Sequence, residues 1–429
     1  MHGCLYICME KMKACLLEER KVSRWGLREV GLTYQAHRSF SLVNIQHWKA
    51  VVGDTNLFLS PSYLTAVDLG HPQAMTFILF YKDDEPVGVG VFHEICFISG
   101  DLSSHVNTTG GVEIVGRTFK SATSRYSMLV CGNPHCTGEH GYYFKDEINA
   151  HVAMQALCAA ANALTVTMRA RKKRAMGILI KDFYPNAFEQ TDELKKCGFH
   201  VFQVDNQNRM HLADHWSVLD DYLNDLNTKF RTKVKAVLNK SSELQVREWL
   251  LEDMQKNVQI LQVLYRAVYD RADFAMEPMS MEFLLHLKTQ LKERMLVQVF
   301  ELQDEVIGFQ IGIINGLELE AFAVGIDYSQ NQQHSIYGRM LVEFIQMAIN
   351  KKCSSIAFGR TASEMKSTFG AFPVKMKVAA RHPGFFRNMM LTPFFRNVHP
   401  AHEPQRFPFK GEMAARVEHE QKIWNNEVD

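Results

Sequence analysis

The chain has 429 residues, 46% of them hydrophobic, with 48 basic against 47 acidic side chains and a formal charge of +1. That length holds roughly two or three domains with real cores, and the charge balance excludes the overall basic excess of a dedicated nucleic-acid binder. Nine cysteines, odd in number and without a CxxC pair, fit reduced thiols in a cytoplasmic protein better than a disulfide framework or a zinc site, so no metal is expected.

The apolar patch Cys4 to Met9 is too short for a secretory signal, and no apolar run of about 18 residues occurs, so no membrane span is expected. Residues 1–30 read as an N-terminal extension. From Met75, MTFILFYKDDEPVGVGVFHEI is a β-hairpin pattern, and MLVQVFELQDEVIGFQIGII from Met295 has the same construction. A strand, a long amphipathic helix and another strand follow each hairpin. They are Tyr126 to Val130, the helix from Asp146 and Met176 to Ile180 in the first case. In the second they are Leu317 to Val324, a helix from about His334 to Asn350 and Ser354 to Phe358. Each copy closes on a short helix, a glycine and a last strand. An α-rich bridge separates the copies, and past Pro383 a Phe-, Pro- and Arg-rich arm follows.

The segment FGRTASEMKSTFGA, Phe358 to Ala371, places Arg360 and Lys366 beside Gly359 and Gly370 at a strand end, where α/β folds gather groups around anionic ligands; two surface charges on a capped helix are the alternative. Glu318 and Glu320, two apart on one strand, project to one face, either as general-base candidates or as a solvated strand face. Glu139 and His140, in the glycine-bearing loop Cys131 to Phe144, form an acid/base pair or a structural histidine contact. The basic run Arg169 to Arg174 ends a helix, as a solvated end or an anion contact.

The element order, with KFRTKVK at Lys229 to Lys235, LYRAVYDRAD at Leu264 to Asp273, the hairpin around Ile307-Gly308, Tyr328 to Leu341 and FGRTASEMKSTFGA, resembles the GCN5-related N-acetyltransferase (GNAT) superfamily. The second copy resembles the acetyltransferase-like domain related to Fem-like aminoacyl transferases, and the first matches in element order and in its ending LKKCGF. The resemblance implies an α/β (α+β) protein of two tandem GNAT-like domains, each a mixed, mostly antiparallel sheet flanked by helices. Residues 31–212 would form the first domain, 213–380 the second and 381–429 a C-terminal arm. It implies an N-acyltransferase that moves an acyl group from acyl-CoA, as co-substrate, to a small-molecule or lipid amine. Donation by acyl carrier protein or aminoacyl-tRNA, or a catalytically silent binding protein, are the alternatives; nucleic acid enters only as tRNA. Lys366, Glu320 and His140 would be catalytic. Ser335, Ile336, Tyr337, Gly338 and Arg360 would hold the donor, and Asp327, Asn331, Glu318 and Glu139 the acceptor. The usual glycine-rich Q/R-x-x-G-x-G/A cradle is absent, since Gly338 is the only glycine in QHSIYG.

Overall fold

The computed structural model describes residues 30–71, 74–98, 125–173, 175–272, 278–396, 398, 400 and 404–427, so nearly all of the N-terminal extension, with its Cys4 to Met9 patch, lies outside the described residues. The first half contains β1 (Thr33–His37), α1 (Ile45–Val52), α2 (Pro61–Gly70), β2 (Met75–Lys82), β3 (Glu85–Ile98), β4 (Arg125–Cys131), β5 (Tyr142–Phe144), α3 (Ala150–Ala170), β6 (Ala175–Phe183), α4 (Phe188–Lys196) and β7 (His200–His211). The bridge and second half contain α5 (Leu219–Asp225), α6 (Thr228–Lys240), β8 (Gln245–Glu248), α7 (Leu251–Lys256), α8 (Val258–Tyr269), α9 (Met281–Leu291), β9 (Met295–Leu302), β10 (Glu305–Asn315), β11 (Glu318–Ile326), α10 (Tyr328–His334), α11 (Ile336–Asn350), β12 (Ser355–Gly359), α12 (Ser363–Thr368) and β13 (Phe372–Arg381). The arm adds α13 (Phe385–Met390), α14 (Thr392–Arg396) and α15 (Gly411–Trp424).

The two hairpins share a turn. Asp83 and Asp84 have φ of +49° and +67°, and Gln303 and Asp304 have +50° and +65°. Two consecutive residues of positive φ make the two-residue turn whose twist matches the flanking strands. A register shift follows in each hairpin, opposite Gly88 in one and at Gly308 in the other.

The sheets of the two halves are fused. One 13-stranded sheet runs β1-β2-β3-β4-β6-β13-β7-β12-β11-β10-β9-β8, with β5 paired to β3 off this path. Each half's last strand therefore sits inside the other's territory: β13 lies between β6 and β7, and β7 lies between β13 and β12. Antiparallel pairing of β7 with both β12 and β13 carries first-half side chains to the strand ends of the second half.

Local rules set the helix bounds. Asn149 accepts the Val152 N–H and starts α3 after the expected Asp146, because a side-chain cap fixes the first turn. Ser335 adopts a left-handed backbone, φ +50°, so the helix expected from about His334 begins at Ile336 as α11, and a separate short helix, α10, precedes it. Asp327 begins α10 by accepting the N–H of Ser329. One core spans both halves on one sheet face, joining Trp48, Phe58 and Phe77 to Phe283, Val297 and Phe309. Burial of such aromatic and branched side chains supplies the main drive to fold, at about 1.5–3 kcal/mol each.

Candidate active site

The cleft arises where two parallel strands part. β11 and β12 pair only over Glu318–Glu320 against Ser355–Ala357, after which β11 continues to Ile326 bonded to β10 on its far side. Beyond Glu320 the β12-facing edge of β11 thus offers backbone groups that no ladder occupies. A cleft of about 610 Å³ fills the gap. Its walls are Ala321 to Val324 of β11, Phe358 to Ala362 at the end of β12, Tyr265 and Tyr269 of α8, Tyr337 and Leu341 of α11, and Pro134 to Thr137 with Lys181 from the first half.

Glu320 stands where the strands diverge, 3% exposed. Burial pushes its carboxyl up to about 8, against the opposing pull of Arg209, Lys366 and Lys181. Lys366, 4% exposed, also lines the cleft, and its Nζ donates to the Phe358 carbonyl at 2.6 Å. The lysine thus closes the carbonyl end of β12 and holds its charge at the cleft wall.

The strand end itself is over-determined. Gly359 has φ +74°, a backbone region that suits glycine. Asn208 of β7 donates to the carbonyls of Gly359 at 3.0 Å and Arg360 at 3.2 Å, and to Ser363 Oγ at 3.1 Å. Arg360 pairs with Asp182, which is fully buried beside Lys181 at 2.8 Å and accepts the Gly138 N–H at 3.1 Å. Burial opposes ionisation of Asp182, but Arg360 and Lys181 outweigh it and hold the carboxyl below the usual range. Asp182 has φ +67° and occupies the place in β6 that Gly359 holds in β12, since Ile180 and Ala357 end the two parallel ladders.

The corresponding parting in the first half is filled. β4 and β6 pair as far as Cys131 and Ile180, and Gly132 follows with φ +136°. A Cβ on Gly132 would lie 2.1 Å from the Lys181 side chain, whose Nζ bonds the carbonyls of Asn133 and Cys136. Only glycine leaves room for that lysine stem.

Lys366, Glu320, Arg360, Tyr337 and Asn331 therefore converge on one cleft. Glu318 pairs with Arg209 and accepts from Ser355 Oγ at 3.0 Å. Glu139 and His140 lie in the packed first-half loop. Glu139 accepts the Tyr184 N–H at 3.0 Å and is pushed up to about 7 by burial, while His140, pushed down to about 3 by burial, sits 4.3 Å from the Phe58 ring and meets Asn56 Nδ2 at 3.1 Å. Asp327 is engaged as the α10 cap.

Ser335 to Gly338 form the start of α11, where a coenzyme A pyrophosphate would need open N–H groups. The Tyr337 N–H instead donates to Asn331 Oδ1 at 2.9 Å. Ile336 is fully buried, and a Cβ on Gly338 would lie 3.0 Å from Val237 of α6. This helix start does not fit a pyrophosphate wrapped on its first turn.

Sequence reasoning missed Lys181, Asp182, Asn208 and Arg209. All four come from first-half strands, and Arg209 stacks 3.7 Å above the ring of Trp424 while its charge bears on Glu320. For Lys181 and Asp182 the only signal is the repeat itself, which aligns the KD of one strand end with the FG of the other, and Asn208 and Arg209 have none.

Residues 228–367 match the model of the acetyltransferase (GNAT) domain, a span running from the first residue of α6 to the residue after Lys366. No curated protein matches the chain. Among solved structures, FemX is 11% identical with a TM-score of 0.42, over 71% of this chain and 87% of that one. L-PGS from Bacillus licheniformis is 9% identical with a TM-score of 0.44, over 82% and 95%. A tandem GNAT protein from the clavulanic acid biosynthesis pathway is 8% identical with a TM-score of 0.48, over 82% and 99%. Residues 228–367 are an acetyltransferase domain of the GNAT type, and the protein that carries them is an enzyme of the acyltransferase class.

Proposed function

We propose that the protein transfers an acyl group from a thioester donor to an amine in the β11–β12 cleft, with Glu320 as general base. The observation that carries this reading is a buried carboxyl, raised to about 8, at the point where the two strands part. An alkylammonium must lose a proton before it attacks, and a base is effective when its pKa lies near the working pH. The free edge of β11 supplies backbone N–H groups for the carbonyl oxygen as negative charge develops on it. Glu320 takes one proton from the ammonium, nitrogen attack then forms the C–N bond, and collapse of the tetrahedral intermediate breaks the C–S bond as the second nitrogen proton passes to the departing sulfur, releasing amide and thiol. Lys366 fixes the end of β12 and adds positive potential to the cleft wall.

The donor is read as acyl-CoA entering by its pantetheine arm, with its pyrophosphate away from the first turn of α11. The Asn331 cap on Tyr337 favours a second reading, in which the same thioester arm arrives on an acyl carrier protein or an aminoacyl ester arrives on tRNA. The test is release of free thiol from acetyl-CoA in the presence of amino sugars, amino acids, polyamines or amine lipids. Amine-dependent release that Glu320→Gln lowers at least 100-fold is expected. Release unchanged in that variant overturns the assignment, and no release from any thioester moves the donor to tRNA.

A further inference from the structure

α13 carries four large apolar side chains in six residues, and all project into solvent: Phe385 is 77% exposed, Phe386 74%, Met389 58% and Met390 77%. The helix is not a loose tail. Asn388, on its inner side, donates Nδ2 to the Gly198 carbonyl and accepts the His382 N–H through Oδ1, both at 2.8 Å. α14, next in the chain, is seated by Phe395, which stacks on His200 and Phe202 with ring centroids 5.0 Å apart. The fold therefore holds the Phe and Met side chains outward on a fixed platform.

The surroundings are cationic. Arg387 lies between the exposed residues on α13, and both Arg387 and Arg169 bear electrostatically on His382 at its base. Arg169 stands at the exposed end of α3, and Arg171, Lys172 and Lys173 follow in the turn beyond it. Arg171 and Lys173 are partly offset by Glu94; no ion pair involves Arg169, Lys172 or Arg387 among the described residues.

We propose that α13 docks the protein on an anionic lipid bilayer, with Phe385, Phe386, Met389 and Met390 entering the headgroup boundary and the α3 end contacting lipid phosphates. Two features select this partner. Side chains that stand proud of the surface suit a deformable apolar medium, whereas a protein partner would need a matching groove. A two-fold contact between copies would bring the Arg387 and Arg169 clusters together, and like charge opposes it. Short helices with exposed aromatic residues and basic flanks bind at interfaces through just this pairing of burial and charge.

The test is flotation of the full chain with vesicles of phosphatidylcholine alone and with added phosphatidylglycerol. We expect at least tenfold greater recovery on the anionic vesicles, high-salt release, and loss of at least tenfold for a quadruple serine variant at Phe385, Phe386, Met389 and Met390. Arg387→Glu should weaken anionic binding severalfold, and both variants should keep the parental melting temperature. Absent flotation, equal flotation on the neutral vesicles, or undiminished flotation of the quadruple variant overturns the proposal. So does a dimer in sedimentation velocity that the quadruple variant converts to monomer.

Discussion

Replacing Glu320 by Gln tests whether burial sets the ionisation of this carboxyl. Its folded value of about 8 against an ordinary 4.5 makes ionisation inside the fold cost on the order of 4–5 kcal/mol. A raised folded pKa means that the native state keeps a proton the unfolded chain has released. The associated stability is complete below about 4.5, falls as pH rises through 8, and is then level. Gln keeps the shape and has no proton to lose. The difference in unfolding free energy between variant and parent should thus move in favour of the variant between pH 5 and 9, by up to that 4–5 kcal/mol in denaturant titrations. The catalytic counterpart is a kcat/KM profile that rises toward pH 8 in the parent and is low in the variant. A stability difference independent of pH would refute the reasoning: Glu320 would then be an ordinary ionised partner of Arg209 and Lys366.

Three further outcomes follow from the site. Lys366→Met should lower stability by about 2 kcal/mol as well as activity, because it deprives the Phe358 carbonyl of a charge-assisted bond; differential scanning calorimetry reads the first effect and thiol release the second. Asp182→Asn leaves Lys181 and Arg360 facing each other without their shared carboxylate and should cost about 3–5 kcal/mol, measured by urea unfolding at neutral pH. Since the Asp182 pKa is depressed, that loss should shrink as pH falls through the folded value. S-acetylpantetheine and acetyl-CoA should raise the melting temperature about equally, and Asn331→Ala, which frees the Tyr337 N–H, should increase the acetyl-CoA shift alone.

The repeat was legible because a two-residue turn and a hydrophobic period are local properties. The pairs Asp84-Glu85 and Asp304-Glu305 mark the same turn in both halves, and the strand–helix–strand patterns behind them recur in the structure. FGRTASEMKSTFGA was legible for the same reason, since Gly359 needs a positive φ and Lys366 reaches back only eight residues to Phe358. The exchange of β7 and β13 was not. It depends on which edge a final strand finds, and no local pattern distinguishes pairing within a half from pairing across halves. That exchange brings Asn208 and Arg209 to the second half, so the part of the site built on it had no sequence signal. Substitution of alanine for Lys229 or Lys235 on α6 would not be expected to alter the strand exchange, as both are exposed there.

The most direct test of the cleft is a crystal structure with a non-hydrolysable acyl-thioester analogue. The acyl carbonyl should lie against the free edge of β11 between Ala321 and Val324, with the reacting carbon within reach of Glu320 through an amine or one water. Acyl density in the first-half loop near His140, or anywhere outside the β11–β12 cleft, would contradict it.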